Sequence, residues 1–382
     1  MKQIVCLSTS PWYPIPTRKQ QVMSRIPDAE ILYFDPPVSL LAPLKDPAAK
    51  EKLKAYRQPG VQPQPNITVY AVPPVLPFFN KFRFLNRWNQ RRQAKYIRKR
   101  IAQHGFQKPL VWCYSPCAAD AAPRLSKSAL VYDCVDKHSA YGGLMDPQVV
   151  DTMELDLARQ ADQVFATATG LAERLHAAND TAVCIPNGAN YERFSQAAQP
   201  QPVPADMADI PGPIFGFVGA LQDCIAYDLV VAAAKARPQW SFVFIGGEKP
   251  GVDLSPLKAL DNIHFLGLKK NEDLPAYLHR FDVCLNLFVK NDLSKDVSPL
   301  KFYEYLATGK PIVSTPQPDQ VLDFRDLIHL GGTAEAFLAA CEAALADTDP
   351  ARQAARMAAG KDCSWDARVA QMGDILTQRG VW

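Results

Sequence analysis

No stretch of these 382 residues approaches the roughly 18–20 uninterrupted apolar positions of a membrane span. The opening MKQIVCLSTSPWYP has too short an apolar run for a secretory leader and reads as a first strand. Nine cysteines lie between Cys6 and Cys363 without paired spacing, so a disulfide framework is excluded. Most sit in strand-like runs, as small buried hydrophobes of a reducing cytosol. Cys113 and Cys117 form a lone CxxxC with no histidine cluster beside it. The D-x-D of Asp347 and Asp349 falls in a late loop expected at the surface, so no metal site is expected. At 48% hydrophobic and 21% charged residues, disorder is excluded as well.

What is present points to two bodies. The length suits two domains. Residues 1–190 hold 24 Lys and Arg against 15 Asp and Glu, whereas 191–382 hold 18 against 24. A basic half and an acidic half imply different partners. Prolines cluster in 36–77 and again in 200–213.

Short apolar runs alternate with amphipathic stretches throughout. Strands are expected at 3–8, 30–34, 67–72, 110–115, 129–135, 163–168 and 182–186, then at 214–218, 241–245, 263–266, 283–288 and 311–314. Helical patterns occupy 85–104, 148–161, 169–178, 225–236, 272–280, 301–308, 333–346 and 350–360. Near-continuous apolar strands alternating with helices predict an α/β chain, two doubly wound Rossmann-like domains facing across a cleft. Ligands of such sheets bind beyond the strands' carboxyl ends.

The most informative stretch is SKDVSPLKFYEYLATGKPIVSTP, residues 294–316. Ser298 or Pro299 can start a helix that Gly309 ends. Its unsatisfied first-turn amides suit an anion such as a diphosphate. Lys301 puts a cation in that first turn, where it opposes the helix dipole unless an anion is bound. Glu304, one turn on, could accept hydrogen bonds from ribose hydroxyls. An ordinary surface helix with a Lys/Glu pair is the plainer reading.

Asp296 and Glu304 stand in D-x7-E spacing, and SPLKFYEYLATGKPIVST resembles the donor-nucleotide motif of GT-B glycosyltransferases, family-4-like, whose usual pattern is E-x7-E. Pro186-Asn187-Gly188 with Phe194, then Phe217-Val218-Gly219-Ala220, PQWSFVFIGG and IHFLGLK follow in that family's order. TRKQQVMSRI and YDCVDKHSA resemble a bacterial surface-polysaccharide subgroup, and residues 36–105 read as an insertion. The resemblance implies that Lys301 neutralises a departing diphosphate, Glu304 holds the ribose and Asp296 faces the sugar. It implies backbone amides of Ser298 and Leu300 on the phosphates, close approach at Gly219, and the base bordered by Gly246, Gly247 and Leu268. The family's Arg and Lys after the Gly219 loop are absent from LQDCIAYDL, which leaves Lys269, Lys290 or Lys295 as substitutes.

Asp136, just past a strand, resembles the general base of the xanthan glucuronosyltransferase; Asp133 and His138 are its alternatives, and a turn aspartate is the plain one. Segment 76–101 carries nine Lys and Arg, no acid, and interleaved aromatics, which reads as a membrane-surface helix. Phe78, Phe82, Leu85 and Trp88 or Asn89 are expected on one stripe, with Arg83, Arg87, Arg91 and Arg92 around it. Arg18 and Lys19, after Thr17, are further candidates for an acceptor phosphate.

The expectation is a metal-independent glycosyltransferase without cofactor, using a UDP-sugar in preference to a GDP-sugar. It would serve a lipid-linked or oligosaccharide acceptor at the inner face of the cytoplasmic membrane, without nucleic acid. A nucleotide-sugar 2-epimerase of the same fold or a catalytically idle binding subunit are the alternatives. The domains expected are 1–193 for acceptor, 194–213 as linker, 214–362 for nucleotide sugar, and a helix in 363–382 crossing back, with Trp365 as its anchor.

Overall fold

The computed structural model describes residues 1–140, 145–291 and 294–382. The chain divides into two units, Met1–Pro186 with Val369–Trp382, and Asn187–Arg368. Each is built on its own sheet, and the strands are nearly all buried on both faces, which is why they read as continuous apolar runs.

In the first unit the strands are β1 (Lys2–Leu7), β2 (Ala29–Phe34), β3 (Val61–Gln64), β4 (Ile67–Tyr70), β5 (Leu110–Cys113), β6 (Leu130–Cys134), β7 (Gln163–Ala166) and β8 (Val183–Cys184). Their order is β3-β4-β2-β1-β5-β6-β7-β8, parallel except for β3. The strand order reverses between the parallel neighbours β1 and β5, where Leu7 pairs with Cys113. That switch point is where such sheets open a ligand crevice. β3 (VQPQ) escapes a hydrophobicity reading because it is an exposed edge strand containing Pro63.

The second unit holds β9 (Ile214–Val218), β10 (Ser241–Ile245), β11 (Ile263–Gly267), β12 (Val283–Asn286), β13 (Ile312–Ser314) and β14 (His329–Leu330), all parallel, in the order β11-β10-β9-β12-β13-β14. Its switch point lies between β9 and β12.

The segment 194–213 is not a free linker. Phe194, Ala197, Met207 and Ile210 are buried in one cluster with Val243, Leu278 and Phe281, so the prolines shape a packed strap of the second unit. Residues 187–193 also group with that unit. Helix Trp365–Gln378 begins in the second unit, and its residues from Val369 on group with the first. Trp365 is tied by its backbone to Ala189 within the second unit, while Trp382, with Lys2 4.7 Å from its ring centroid, belongs to the first.

Asp347 and Asp349 are structural. Asp349 caps helix Pro350–Asp362 by accepting from the Ala351 amide. The Asp347 side chain, expected at the surface, is 3% exposed and meets Arg356 at 2.8 Å, His329 at 3.0 Å and Arg352 at 3.0 Å. Burial opposes its ionisation, but hydrogen bonds from Arg356, His329 and Arg352 outweigh that and hold its carboxyl down at about 2. The stability this contributes is present above the ordinary carboxylate range and lost as pH falls from about 4 through about 2. Asp347→Asn is expected to leave the buried Arg356 charge uncompensated and to cost about 3–5 kcal/mol. Urea unfolding at pH 7 checks this; a loss under about 1 kcal/mol would refute the pairing argument.

Candidate active site

The site of the second unit is assembled at the carboxyl ends of β9 and β10 and the start of helix Leu300–Thr308. That helix has Pro299 at its N-cap, no side-chain cap and no acidic residue in its first turn. Ser298 is not the cap. Its hydroxyl accepts from the Asn187 backbone amide at 3.0 Å and its carbonyl from the Asn187 side chain at 3.0 Å. The first-turn amides, Leu300 among them, are therefore left without a side-chain acceptor, the condition for an anion site. Leu300 itself is 40% exposed.

The opposing loops approach closely because two glycines permit it. A Cβ on Gly246 (φ +154) would fall 1.9 Å from the Gly219 carbonyl oxygen. One on Gly219 (φ +150) would fall 2.9 Å from Cε of Lys301. The Val218 amide donates to the Tyr305 hydroxyl at 2.8 Å, which fixes the helix against the end of β9.

Lys301 has no carboxylate in ion-pair contact among the described residues. Its ammonium lies 4.3 Å from the ring centroid of Phe217 and 4.7 Å from that of Phe288. Two aromatic faces hold a cation in place without neutralising it. Burial pushes the Lys301 pKa down to about 8, against the pull of Cys224 and Glu304. Burial likewise raises Glu304 to about 7, with Lys301 and Arg193 pulling it back. Arg193 was not singled out from sequence; its place just after the PNG turn was the available signal. Such paired, opposed shifts are typical of functional sites.

Other expected residues are placed as follows. Asp296 is buried at 6% exposure, in a turn over Ser294–Asp296, and is engaged within the protein. Leu268, just past β11, is 76% exposed. Lys269 is not a free substitute for the missing cations, since its ammonium pairs with Asp206 at 2.6 Å. Lys290 and Lys295 are exposed.

In the first unit, Arg18 is buried and engaged through Nε and Nη1, with Nη2 left without a partner among the described residues. It is 3% exposed, its Nε reaches both oxygens of Asp133 at 3.0–3.1 Å, and its Nη1 donates to the Pro186 carbonyl. This also removes Asp133 as a base. Lys19 is buried, with its ammonium 5.8 Å from the Tyr114 ring centroid. Burial lowers its pKa, while the charges of Asp136 and Asp133 raise it. Asp136 is exposed, two residues beyond β6. His138 is buried, and that burial lowers its pKa below the usual value.

The basic segment splits differently from the expected stripe. Helix Arg83–Gln103 starts after Phe82, buries Asn89 and leaves Leu85 half-buried. Arg83 is held by Asp156 at 2.5 Å and Asp120 at 3.3 Å, so it is not free for a ligand, and Arg87 lies 3.8 Å from Asp120. Phe82, Phe84 and Trp88 are 45%, 67% and 44% exposed. Arg91 and Arg92 are exposed, with Arg92 4.7 Å from the Trp88 ring centroid.

Two parallel-sheet units, the second presenting an uncapped helix and a lysine beside a glycine loop, define the class: the fold is GT-B. Residues 212–347 match the family described as Glycosyl transferases group 1. Over 232 residues the chain is 26% identical to TuaH of Bacillus subtilis (strain 168), a glycosyltransferase assigned to teichuronic acid biosynthesis. That match takes in 56% of this chain and spans 58% of the relative's length. Among solved structures, sucrose-phosphate synthase from Thermosynechococcus elongatus superposes with a TM-score of 0.68 at 17% identity, covering 99% of both chains. HepE from Anabaena, in complex with UDP and glucose, superposes with a TM-score of 0.63 at 15% identity, covering 99% of this chain and 100% of its own.

Proposed function

We propose that the chain is a glycosyltransferase that moves a sugar from a nucleoside diphosphate sugar, UDP rather than GDP, to a lipid-linked glycan of the cell surface. The observation that carries this reading is the Lys301 ammonium, held over two phenylalanine rings at an uncapped helix start. The family match over 212–347, the teichuronic acid relative and the UDP in HepE support it.

In this reading the Ser298 and Leu300 amides bind the diphosphate, with the Lys301 amide beside them. As the bond from the sugar's anomeric carbon to the phosphate oxygen breaks, negative charge grows on the departing diphosphate. Lys301 and the helix N-terminus stabilise that charge, so the scheme calls for no bound metal. Glu304 accepts from the ribose hydroxyls, Asp296 faces the sugar, and Gly219, Gly246 and Leu268 border the nucleotide. Asp136 takes the proton of the attacking acceptor hydroxyl. A donor screen tests the whole: slow release of UDP from a UDP-sugar is expected, and no release or thermal stabilisation by any nucleotide would overturn it.

We also assign the aromatic and basic surface of helix Arg83–Gln103 to the inner face of the cytoplasmic membrane. Among the described residues no helix is long and apolar enough to cross a membrane. Exposed Phe82, Phe84 and Trp88 supply the apolar contact, and Arg91, Arg92, Lys95, Arg98 and Lys99 the charge. Leu40, Leu41 and Leu44 extend it, their segment joined to this region by the Leu40 amide on the Val75 carbonyl. With about 1 kcal/mol per cation near an anionic leaflet, replacing Arg91 and Arg92 by Gln should weaken binding to phosphatidylglycerol vesicles by roughly thirtyfold. Co-sedimentation that ignores both the substitutions and added salt would remove this assignment.

A further inference from the structure

Helix Arg83–Gln103 turns an amide-rich face inward. Asn86, Asn89, Gln90 and Gln93 are all 6% exposed or less. Asn86 is committed through its nitrogen, which donates to the Cys117 carbonyl at 3.0 Å and to Asp120 at 2.8 Å, although its buried Oδ1 has no partner among the described residues. Asn89 is satisfied by the amide and carbonyl of Leu76 at 2.9 and 3.1 Å. Gln90 and Gln93 are different. Neither side chain has a hydrogen-bond partner among the described residues, and Nε2 of Gln93 is fully buried. Buried amides without partners are costly, so natural proteins keep them where something else supplies the bond.

Both glutamines line a cavity of about 220 Å³ in the first unit. Its position is the switch point described above, where β1 ends at Leu7, Ser8 follows it and Ser115 follows β5. Phe34 and Phe79 give it apolar walls, and no Lys, Arg or His is among its lining residues. Its only ionisable acid is Asp35, which spends one oxygen on the Trp12 amide at 2.9 Å. Aromatic walls, spare amides and one carboxylate without a cation match a neutral, polyhydroxylated ring and not an anion.

We propose that this cavity receives an uncharged sugar ring of the acceptor, with Gln90 and Gln93 hydrogen-bonding its hydroxyls and Asp35 turning away rings that carry a carboxylate or phosphate. The word acceptor rests on the glycosyltransferase reading; the sugar site itself does not. Arg18 is taken up by Asp133, and the cavity offers the polar groups that the basic residues were expected to provide.

Saturation-transfer NMR on the full chain tests it, with methyl glycosides of glucose, galactose and mannose as neutral probes and methyl glucuronide as the charged one. At least one neutral glycoside should bind, and Gln93→Leu should weaken it at least tenfold while leaving the melting temperature equal or higher. Phe79→Ala, a half-buried lining position, is the second variant, with the same loss expected. Asp35→Asn should admit the glucuronide. Silence from every neutral probe, binding unchanged in a Gln90→Leu, Gln93→Leu double variant, or glucuronide bound equally by the unaltered chain would overturn the proposal. UDP titrated into the same samples separates the two readings. UDP binding without glycoside binding sinks this site alone. Glycoside binding without UDP binding sinks the donor reading and keeps the site.

Discussion

Lys301→Met gives a protein that is more stable without ligand and nearly inactive. Methionine keeps the stem between Phe217 and Phe288 and removes only the charge. That charge is disfavoured by burial, which is why the Lys301 pKa falls to about 8. Removing it relieves the ligand-free protein, so the melting temperature should rise. On the proposed reading the same charge meets the departing diphosphate in turnover, and loss of one preorganised group of this kind costs about 10²–10³ in kcat. Thermal melting and donor turnover, measured on the same preparation, check both halves. A variant that is active, or one that is inactive because it is unfolded, would contradict the role assigned to Lys301.

Asp136→Asn is expected to lower turnover by about 10²–10⁴ while UDP binding is unchanged. Asp136 belongs to the first unit and lies exposed in the bend after β6, whereas the groups proposed for the nucleotide all belong to the second. An isosteric amide keeps the bend and cannot take a proton. Unchanged turnover would retire Asp136 as the base. The neighbouring candidates are weaker on structural grounds: Asp133 is committed to Arg18, and His138 is buried.

Much of this architecture was legible because parallel strands covered on both faces must be apolar along their whole length. Runs such as IFGFV and SFVFI therefore announce β9 and β10 without alternation. What was not legible depended on tertiary partners. Pro-rich 194–213 reads as a linker until Phe194 and Met207 are seen buried under helix Leu274–Arg280. Arg18 and Arg83 read as free cations because Asp133 and Asp120, which neutralise them, are 115 and 37 residues away in sequence. Ser298 looks like a helix cap, yet Asn187, 111 residues earlier, claims both its hydroxyl and its carbonyl. Lys301 and Glu304 can be singled out from sequence because a helix start needs only local spacing. The amides at 90 and 93 were missed because their meaning lies in the absence of a partner, which no local pattern records.

The most direct measurement is the affinity of UDP followed by titration calorimetry from pH 7 to 9.5. The terminal phosphate of UDP titrates near pH 6 and stays ionised, and the slope is read between pH 7 and 8.5, below the range in which the uracil imide N–H ionises, while Glu304, raised to about 7, is increasingly ionised. Diphosphate favours the protonated lysine, so binding should take up a proton and weaken as pH rises through about 8, by up to tenfold per unit. Lys301→Met should flatten that dependence at the weak end. Affinity constant across the range, or a slope that survives the substitution, would mean that the nucleotide diphosphate does not meet this lysine.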